Sequence, residues 1–447
     1  MPQAALIAHL QTAVTQQDEA RIAQLAPRLQ AADLADVLRD EKPKMSRMVL
    51  NQLDQAQQAA VFGYLPLKLQ RRIMKKMSLD AAAHLLSYMD SDERADLFKK
   101  MDEAWQTQVL KLMAQEKRED LRRMASYAED TAGAIMTSEY ASIPESVNVG
   151  EALDIVRHTA PDAETISRIF VLDEQQVLLG MVKLRDLILA TPNTPVSHIM
   201  ETDIAAIATD QDQEEAVRLI SRYDLLTLPV VDKQHRLVGI VTHDDAMDVA
   251  EEEATEDMLK SSTVGNLESS LSEASLFILY RKRIVWLVLL VFANIVSAAG
   301  IALYEDTIAQ YIVLVFFLPL LVGSAGNAGS QASTLMVRGL ATGDVRLKDW
   351  GKMFGREFVV ALGLGVTMAL AVSLIGAARG GLPIAMVVAF SMVAVVMIGS
   401  LVGMTLPFLL NRVGWDPATA SAPLVATIAD AVGVLVYFSI ATAVLGL

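Results

Sequence analysis

The apolar positions of this chain follow three rhythms, and each predicts a different kind of element. Leu53, Leu65, Met77, Met89, Met101 and Met113 recur every 12 residues, and Phe62, Met74, Leu86, Phe98 and Leu110 follow nine residues after the first five. Val61, Ile73, Leu85, Leu97, Val109 and Leu121 supply a second apolar row. A 12-residue unit is a helix of about two turns plus a turn, too short to be stable alone, so stacked copies must bury a shared stripe. The sixth copy has Arg122 where the others are apolar, as expected of an end repeat with an exposed outer face. The second rhythm is a strand–turn–strand–helix pattern that occurs twice, 59 residues apart: VLDEQQVLLGMVKLRDLI from Val171 and VVDKQHRLVGIVTHDDAM from Val230. Ile135-Met136 and Ile199-Met200 stand ahead of the two copies. The third begins at Ala274, where apolar stretches at about 284–304, 309–336, 357–378, 382–410 and 418–446 are each long enough to cross a bilayer.

Charge divides the chain at the same place. The last 174 residues hold 10 of the 38 Lys+Arg and 7 of the 53 Asp+Glu, leaving 28 and 46 for the first 273, so +3 stands against −18. A part that acidic is a poor partner for nucleic acid or anionic lipid and a good one for cations. The chain has no cysteine, which excludes disulfides, thiolate metal sites and a thiol nucleophile. Its six histidines show no ligand spacing, and no nucleophile motif or phosphate loop points to an enzyme. MPQAALIAHLQTAVTQQDEA lacks the basic patch and apolar core of a signal peptide, so the N-terminal part is expected in the cytoplasm. With that orientation Arg281, Lys282, Arg283, Arg338, Arg346, Lys348, Lys352, Arg356 and Arg412 lie inside. Only Arg379 lies outside, with Glu305 and Asp306 in the first outer loop.

Two acidic features point to ion chemistry. DDAMDVAEEEATED, Asp244 to Asp257, carries eight carboxylates and no basic residue, and reads as a helix with no i,i+4 lysine to relieve it. Like charges about 6 Å apart cost roughly 2–3 kcal/mol at an effective dielectric near 20, and a divalent cation removes that cost. An exposed acidic helix is the plain alternative. In the membrane part, Glu357 stands at the edge of the third stretch, and Asp430, about midway along the last, is the charged residue at depth. A carboxylate there costs roughly 2.5–3.5 kcal/mol, so it must face water, protonate or bind a cation. Asp416-Pro417 reads as an ordinary helix start and also as a candidate for the inner pore mouth. Gly323, Gly326 and Gly329 suit close helix packing, which does not account for Asn327, Ser330 and Gln331 beside them. Pro319, Pro407 and Pro423 each free a backbone carbonyl.

The duplicated pattern over 131–250 resembles the paired cystathionine-β-synthase (CBS) domain. That resemblance implies an α/β regulatory module in which Asp186 and Asp245, after Gly-x-Val-x-x-x, contact the ribose of an adenine nucleotide such as ATP. The chain as a whole resembles the MgtE magnesium transporters. The stretches that carry this are YAEDTAGAIMTSEY (Tyr127 to Tyr140), ATED (Ala254 to Asp257), PLLVGSAGNAGSQASTLMVRGLATG (Pro319 to Gly343) and DPATASAPLVATIADAVG (Asp416 to Gly433). What the resemblance implies is a multidomain homodimer in the bacterial inner membrane, N-terminus cytoplasmic and C-terminus outside. An all-α superhelical N-domain (1–130) is followed by the CBS pair (131–250), a connecting plug helix (251–273) and a polytopic α-helical membrane domain with five spans (274–447).

Carried over by motif, Asp430 is the selectivity-filter carboxylate and Asp416 sits at the cytoplasmic mouth, with Gly326, Asn327, Gly329, Pro407 and Ala426 along the pore. Asp92, Asp96, Asp212, Glu214, Asp224, Asp245, Asp248, Glu253, Glu256 and Asp257 look like regulatory magnesium ligands. Ala60 stands where the N-domain repeat is expected to offer an acidic partner, and Ala422 leaves its stretch without a hydrogen-bonding side chain near the filter. The expected function is a magnesium-selective influx channel closed by cytoplasmic Mg2+. The rivals are a proton-coupled divalent-cation carrier and a non-conducting membrane sensor.

Overall fold

The computed structural model describes residues 3–262 and 275–446. Its chain forms two compact units, Met1–Glu251 and Glu252–Leu447. The connecting helix expected over 251–273 falls outside the described residues from 263 onward.

The first unit opens with short α-helices: α1 (Gln3–Gln16), α2 (Glu19–Leu25), α3 (Ala31–Arg39), α4 (Pro43–Leu50), α5 (Gln55–Gly63), α6 (Leu67–Met74), α7 (Leu79–Tyr88), α8 (Ser91–Lys99), α9 (Glu103–Leu112) and α10 (Gln115–Met124). The 12-residue period is visible in their caps as well as their core. The residues before α5 to α10 are Asp54, Pro66, Ser78, Asp90, Asp102 and Ala114, and every second one (Asp54, Ser78, Asp102) accepts a backbone N–H of its own first turn. Val61, Ile73, Leu85, Leu97, Val109 and Leu121 are all buried in one continuous core, while Arg122 is exposed.

Two three-stranded sheets follow. The first holds β1 (Tyr140–Pro144), β2 (Thr165–Leu172) and β3 (Leu178–Lys183), with α11 (Val149–Thr159) and α12 (Leu184–Leu189). The second holds β4 (Ile207–Ala208), β5 (Thr227–Val231) and β6 (Leu237–Thr242), with α13 (Gln213–Tyr223) and α14 (His243–Ser261). Val171 faces Gly180 and Val230 faces Gly239, so the duplication extends to the register. The leader peptides cross over. Thr137, after Met136, bridges Ile240 of the second repeat, and Glu201, after Met200, bridges Met181 of the first. A Cβ at Gly239 would lie 2.7 Å from the Thr137 carbonyl and one at Gly180 would lie 2.6 Å from that of Glu201, which is why the Gly of each Gly-x-Val must be glycine. The helical core continues into the second repeat through Ile207, Ile220, Val230 and Val241, whereas the first repeat packs around Ile143, Val156 and Val171.

In the second unit α15 (Leu276–Ala302), α17 (Val313–Ala341), α18 (Trp350–Arg412) and α19 (Ala422–Leu445) are long and apolar enough to cross a membrane, with the short α16 (Glu305–Gln310) between the first two. A straight helix of 63 residues would run about 95 Å, three bilayer cores. It does not, because Gly381 has φ 72°, ψ −171° and breaks it. Gly376 packs on Ala385 and Gly365 on Val393, so the arms on either side of Gly381 run antiparallel as a hairpin. Five apolar helical stretches result. The last begins later than expected, at Ala422 rather than 418. Asp416 N-caps only the short turn Pro417–Thr419, and Ser421 caps the helix itself. Asp430 therefore stands about a third of the way along α19 instead of midway.

Candidate cation sites

The first unit gathers carboxylates from three distant parts of the chain. Asp90, Asp92 and Glu93 come from the start of α8, Glu164 from the residue before β2, and Asp244, Asp245 and Asp248 from the first turns of α14. Local chemistry fixes each donor. Thr242 donates to the Asp245 carboxylate at 2.5 Å and accepts its N–H at 3.4 Å, holding the start of α14. The Ser91 hydroxyl donates to Thr137 and accepts the Ser138 N–H at 2.7 Å, which ties α8 to the leader of the first sheet. The Glu164 N–H donates to the Glu139 carbonyl at 2.8 Å. A Cβ at Gly63 would overlap the Glu93 carboxylate, so that glycine makes its room.

Oxygens of Glu164, Asp244 and Asp245 all lie within 4.8 Å of one another, a separation one ion can bridge. The nearby cations are engaged elsewhere. Arg94, fully buried, donates to Asp120 at 2.7 Å and to the Met89 carbonyl at 3.1 Å, and Lys117 pairs with Glu139 at 2.7 Å. The carboxylates accordingly resist ionising. Burial, then the charges of Asp90, Asp245 and Glu164, push Glu93 up to about 8. Burial raises Glu164 to about 7 against a hydrogen bond from Thr137, with the charges of Asp245 and Asp90 adding to it. Asp245 rises to about 6, chiefly by burial and against its bond to Thr242. Asp92 is raised well above the usual range by burial and the charges of Asp245 and Glu93, and Asp90 and Asp248 are raised too, by burial first.

Other sequence candidates lie apart. Asp96 faces Lys99, at 3.8 Å, and the Lys100–Glu129 pair. Asp212 caps the start of α13, accepting the Glu214 N–H at 2.8 Å, while Asp224 ends that helix with φ 50°. A helix of 11 residues separates them by about 16 Å, too far for one ion to hold both within a chain. Asp186 lies in the first turn of α12. A cleft of about 380 Å³ between the two repeats is lined by Arg168, Lys183, Glu201, Tyr223 and Thr227 among others, and neither Asp186 nor Asp245 is part of its lining.

In the second unit, the later half of α14 corrects one expectation. Lys260 forms an i,i+4 ion pair with Glu256, relief that the acidic run was expected to lack, because the lysine stands three residues beyond its last carboxylate, Asp257. The same Nζ donates to Asp416 Oδ2 at 2.6 Å. Burial works against that ammonium, but the bonds to Asp416 and Glu256 outweigh it and raise its pKa; Asp257 is raised by burial and by the Asp416 charge.

Asp430 lies against α17, where a Cβ at Gly326 would sit 3.3 Å from that of Ala426 and 3.7 Å from Asp430 Oδ1. Among the described residues its half-buried carboxylate has no hydrogen-bond or ion-pair partner. Of the glycines in α17, Gly323, Gly326 and Gly329 were expected to suit close helix packing, and not all of them do. Gly326 meets α19, Gly329 meets the Gly399 carbonyl of α18, and Gly323 has open space around it. Asn327, Gln331 and Thr334 are exposed along the Gly323 side of α17, a polar stripe about 10 Å long. Ser330 and Ser333 donate to the Ala422 and Ala420 carbonyls at 3.2 and 2.7 Å, so α17 supplies hydrogen bonding where Ala422 has none to offer. Pro407 is buried, and Glu357 accepts from the buried Ser400 hydroxyl.

Residues 29–130 match the MgtE intracellular N domain, 132–193 and 196–252 each match a CBS domain, and 318–440 match the MgtE divalent cation transporter family. The "Magnesium transporter MgtE" of Thermus thermophilus is 44% identical over 72% of each chain, and that of Bacillus subtilis is 35% identical over 72% of this chain and 71% of its own. This chain belongs to the MgtE family. As such it is a membrane-embedded magnesium transporter and not an enzyme. Among solved structures, the cytosolic domain of the Mg2+ channel MgtE in complex with ATP is 36% identical, with TM-score 0.52, covering 54% of this chain and 99% of that one. The soluble part of a magnesium transporter is 28% identical at the same TM-score, covering 56% and 99%. The sequence motifs had not singled out Glu164 or Asp244 as partners. Glu164 stands 80 residues before Asp244, and no periodicity links them.

Proposed function

We propose that this MgtE-family chain forms a homodimeric Mg2+ channel, that its five apolar helical stretches span the bacterial inner membrane with the first unit in the cytoplasm, and that internal Mg2+ closes it. The observation that carries the reading is Asp430: a carboxylate without a partner among the described residues, beside a glycine, on a helix next to one with an exposed polar stripe. That combination is costly in lipid, and a water-filled path between two copies removes the cost. Magnesium sheds water reluctantly, so paired Asp430 carboxylates would hold the hydrate through its waters. Two charges moving down the membrane potential release roughly 4.6 kcal/mol per 100 mV, enough to drive uptake without a coupled ion.

Closure follows from the cytoplasmic carboxylates. Without Mg2+ they repel or hold protons. With it, Asp92, Glu164, Asp244, Asp245 and Asp248 are bridged, and Glu253, Glu256, Asp257 and Asp416 draw α14 to the mouth. Asp96, Asp212, Glu214 and Asp224 would bind ions only with residues outside their own cluster. The MgtE cytosolic domain crystallised with ATP supports a nucleotide in the cleft lined by Arg168 and Lys183, where Arg168 suits phosphate and Lys183 is paired with Glu201.

The test is Mg2+ flux into liposomes at fixed voltage. Wild type is expected to conduct and Asp430→Ala to lose at least tenfold. Equal flux in both would remove Asp430 from the pore, flux that tracks a pH gradient would favour a proton-coupled carrier, and no flux at all would leave a membrane sensor.

A further inference from the structure

Ion sensing by α14 leaves one charge unused. The 3.6-residue repeat turns Glu253, Glu256, Asp257 and Lys260 onto one side of the helix. The Lys260 ammonium joins two of the surrounding carboxylates, Glu256 on its own helix and Asp416 at 2.6 Å, while Asp257 feels the charges of Asp416, Glu253 and Glu256. The other oxygen of Asp416 accepts the Ala418 N–H at 2.8 Å, so Lys260 takes the oxygen that the turn leaves open. Four carboxylates thus gather around this one ammonium.

We propose that Lys260 is a tethered counter-cation that competes with a divalent ion for Asp416, so that the ion must displace the ammonium before it can bridge α14 to the start of α19. The proposal rests on reading these carboxylates as ion ligands. An ammonium on its own helix arrives at no entropic cost of association, yet brings one charge where a dication brings two. Exchange therefore favours the dication only above a certain concentration, and Lys260 raises that threshold. Both partners are about one-third exposed, so the competition is modest.

Mg2+ binding to the purified full-length protein is to be measured by calorimetry for wild type, Lys260→Gln, Lys260→Arg, Asp416→Asn and the Lys260→Gln/Asp416→Asn pair. Lys260→Gln is expected to tighten one class of site about three- to tenfold. Lys260→Arg, which keeps the charge, should retain the weaker binding, and the gain should vanish when Asp416→Asn is added. In liposomes the internal Mg2+ needed for half-closure should fall by a similar factor. Unchanged binding in Lys260→Gln overturns the proposal, as does a gain that survives Asp416→Asn. Closure of Lys260→Gln at higher Mg2+ also overturns it, because the lysine would then be a latch that holds α14 in place. Wild type that binds Mg2+ without conducting would sink the channel reading alone, since the binding comparison still judges Lys260.

Discussion

Glu93 shows how burial and like charge act together on a single side chain. Its carboxyl is held near 8 by burial and by the charges of Asp90, Asp245 and Glu164. A folded-state pKa raised above the unfolded value contributes stability that is complete below about 4.5 and is lost as pH rises through about 8. The Mg2+-free protein should therefore melt at lower temperature at pH 8 than at pH 6, with Mg2+ restoring the difference. Glu93→Gln should raise stability at pH 8 in chelator by about 1 kcal/mol, discounted for screening, and the gain should disappear in saturating Mg2+. Thermal unfolding of the full-length protein checks both; a Glu93→Gln protein that melts like wild type in chelator would show that the carboxylates are not strained. Asp245 and Asp248 were legible in the acidic run from Asp244 to Asp257, and Asp92 through the family resemblance. Glu164 was not, since it joins them only through the fold. Asp90 carries a subtler signal: it stands at an N-cap position in the 12-residue series, yet its side chain makes no cap bond.

At the scale of elements, the sequence was most informative where one period governs a whole segment. The 12-residue rows and the 59-residue duplication rest on burial repeated many times, so no single residue can hide them. The apolar stretches were legible by length, but their packing was not, because glycine positions alone do not reveal which neighbour approaches. Gly399 makes the point: a Cβ there would lie 2.3 Å from the Ala325 carbonyl, a backbone atom that cannot swing away, whereas Gly363 in the other arm of α18 has open space. Gly399→Ala should push α17 and α18 apart and cost about 1–3 kcal/mol. Gly363→Ala should be neutral or stabilising by about 0.5–1 kcal/mol, since glycine disfavours a helix interior. Melting temperature and monodispersity in detergent separate the two; equal behaviour would mean that α17 and α18 are not in this contact. The start of α19 was misread because Asp-Pro satisfies the rules for a helix start, and only the structure shows that Ser421 caps the long helix.

For the whole molecule, the acidic first part and the slightly basic second one are joined by α14, and the proposed gating depends on that link. Carboxylates from α8, from the approach to β2 and from α14 meet in the first unit, and α14 continues into the second unit, where its later carboxylates lie beside Asp416. A dication that relieves repulsion along α14 thus acts on an element belonging to both units. Relief of roughly 2–3 kcal/mol per bridged pair is comparable with the few kcal/mol by which such two-state elements differ. Removing the charges should also remove the repulsion that Mg2+ must overcome, and with it the Mg2+ dependence. Asp245→Asn, Asp248→Asn and Glu253→Gln together should therefore leave flux unaffected by internal Mg2+ over the range in which wild type shuts. The size of the flux should stay near that of open wild type, because none of the three lies among the apolar helices. Normal closure of the triple variant would mean that Mg2+ acts elsewhere, with the remaining Asp92, Glu164 and Asp244 as the next carboxylates to neutralise. Loss of flux at every Mg2+ concentration would instead mean that α14 closes by default and that its charges hold it open.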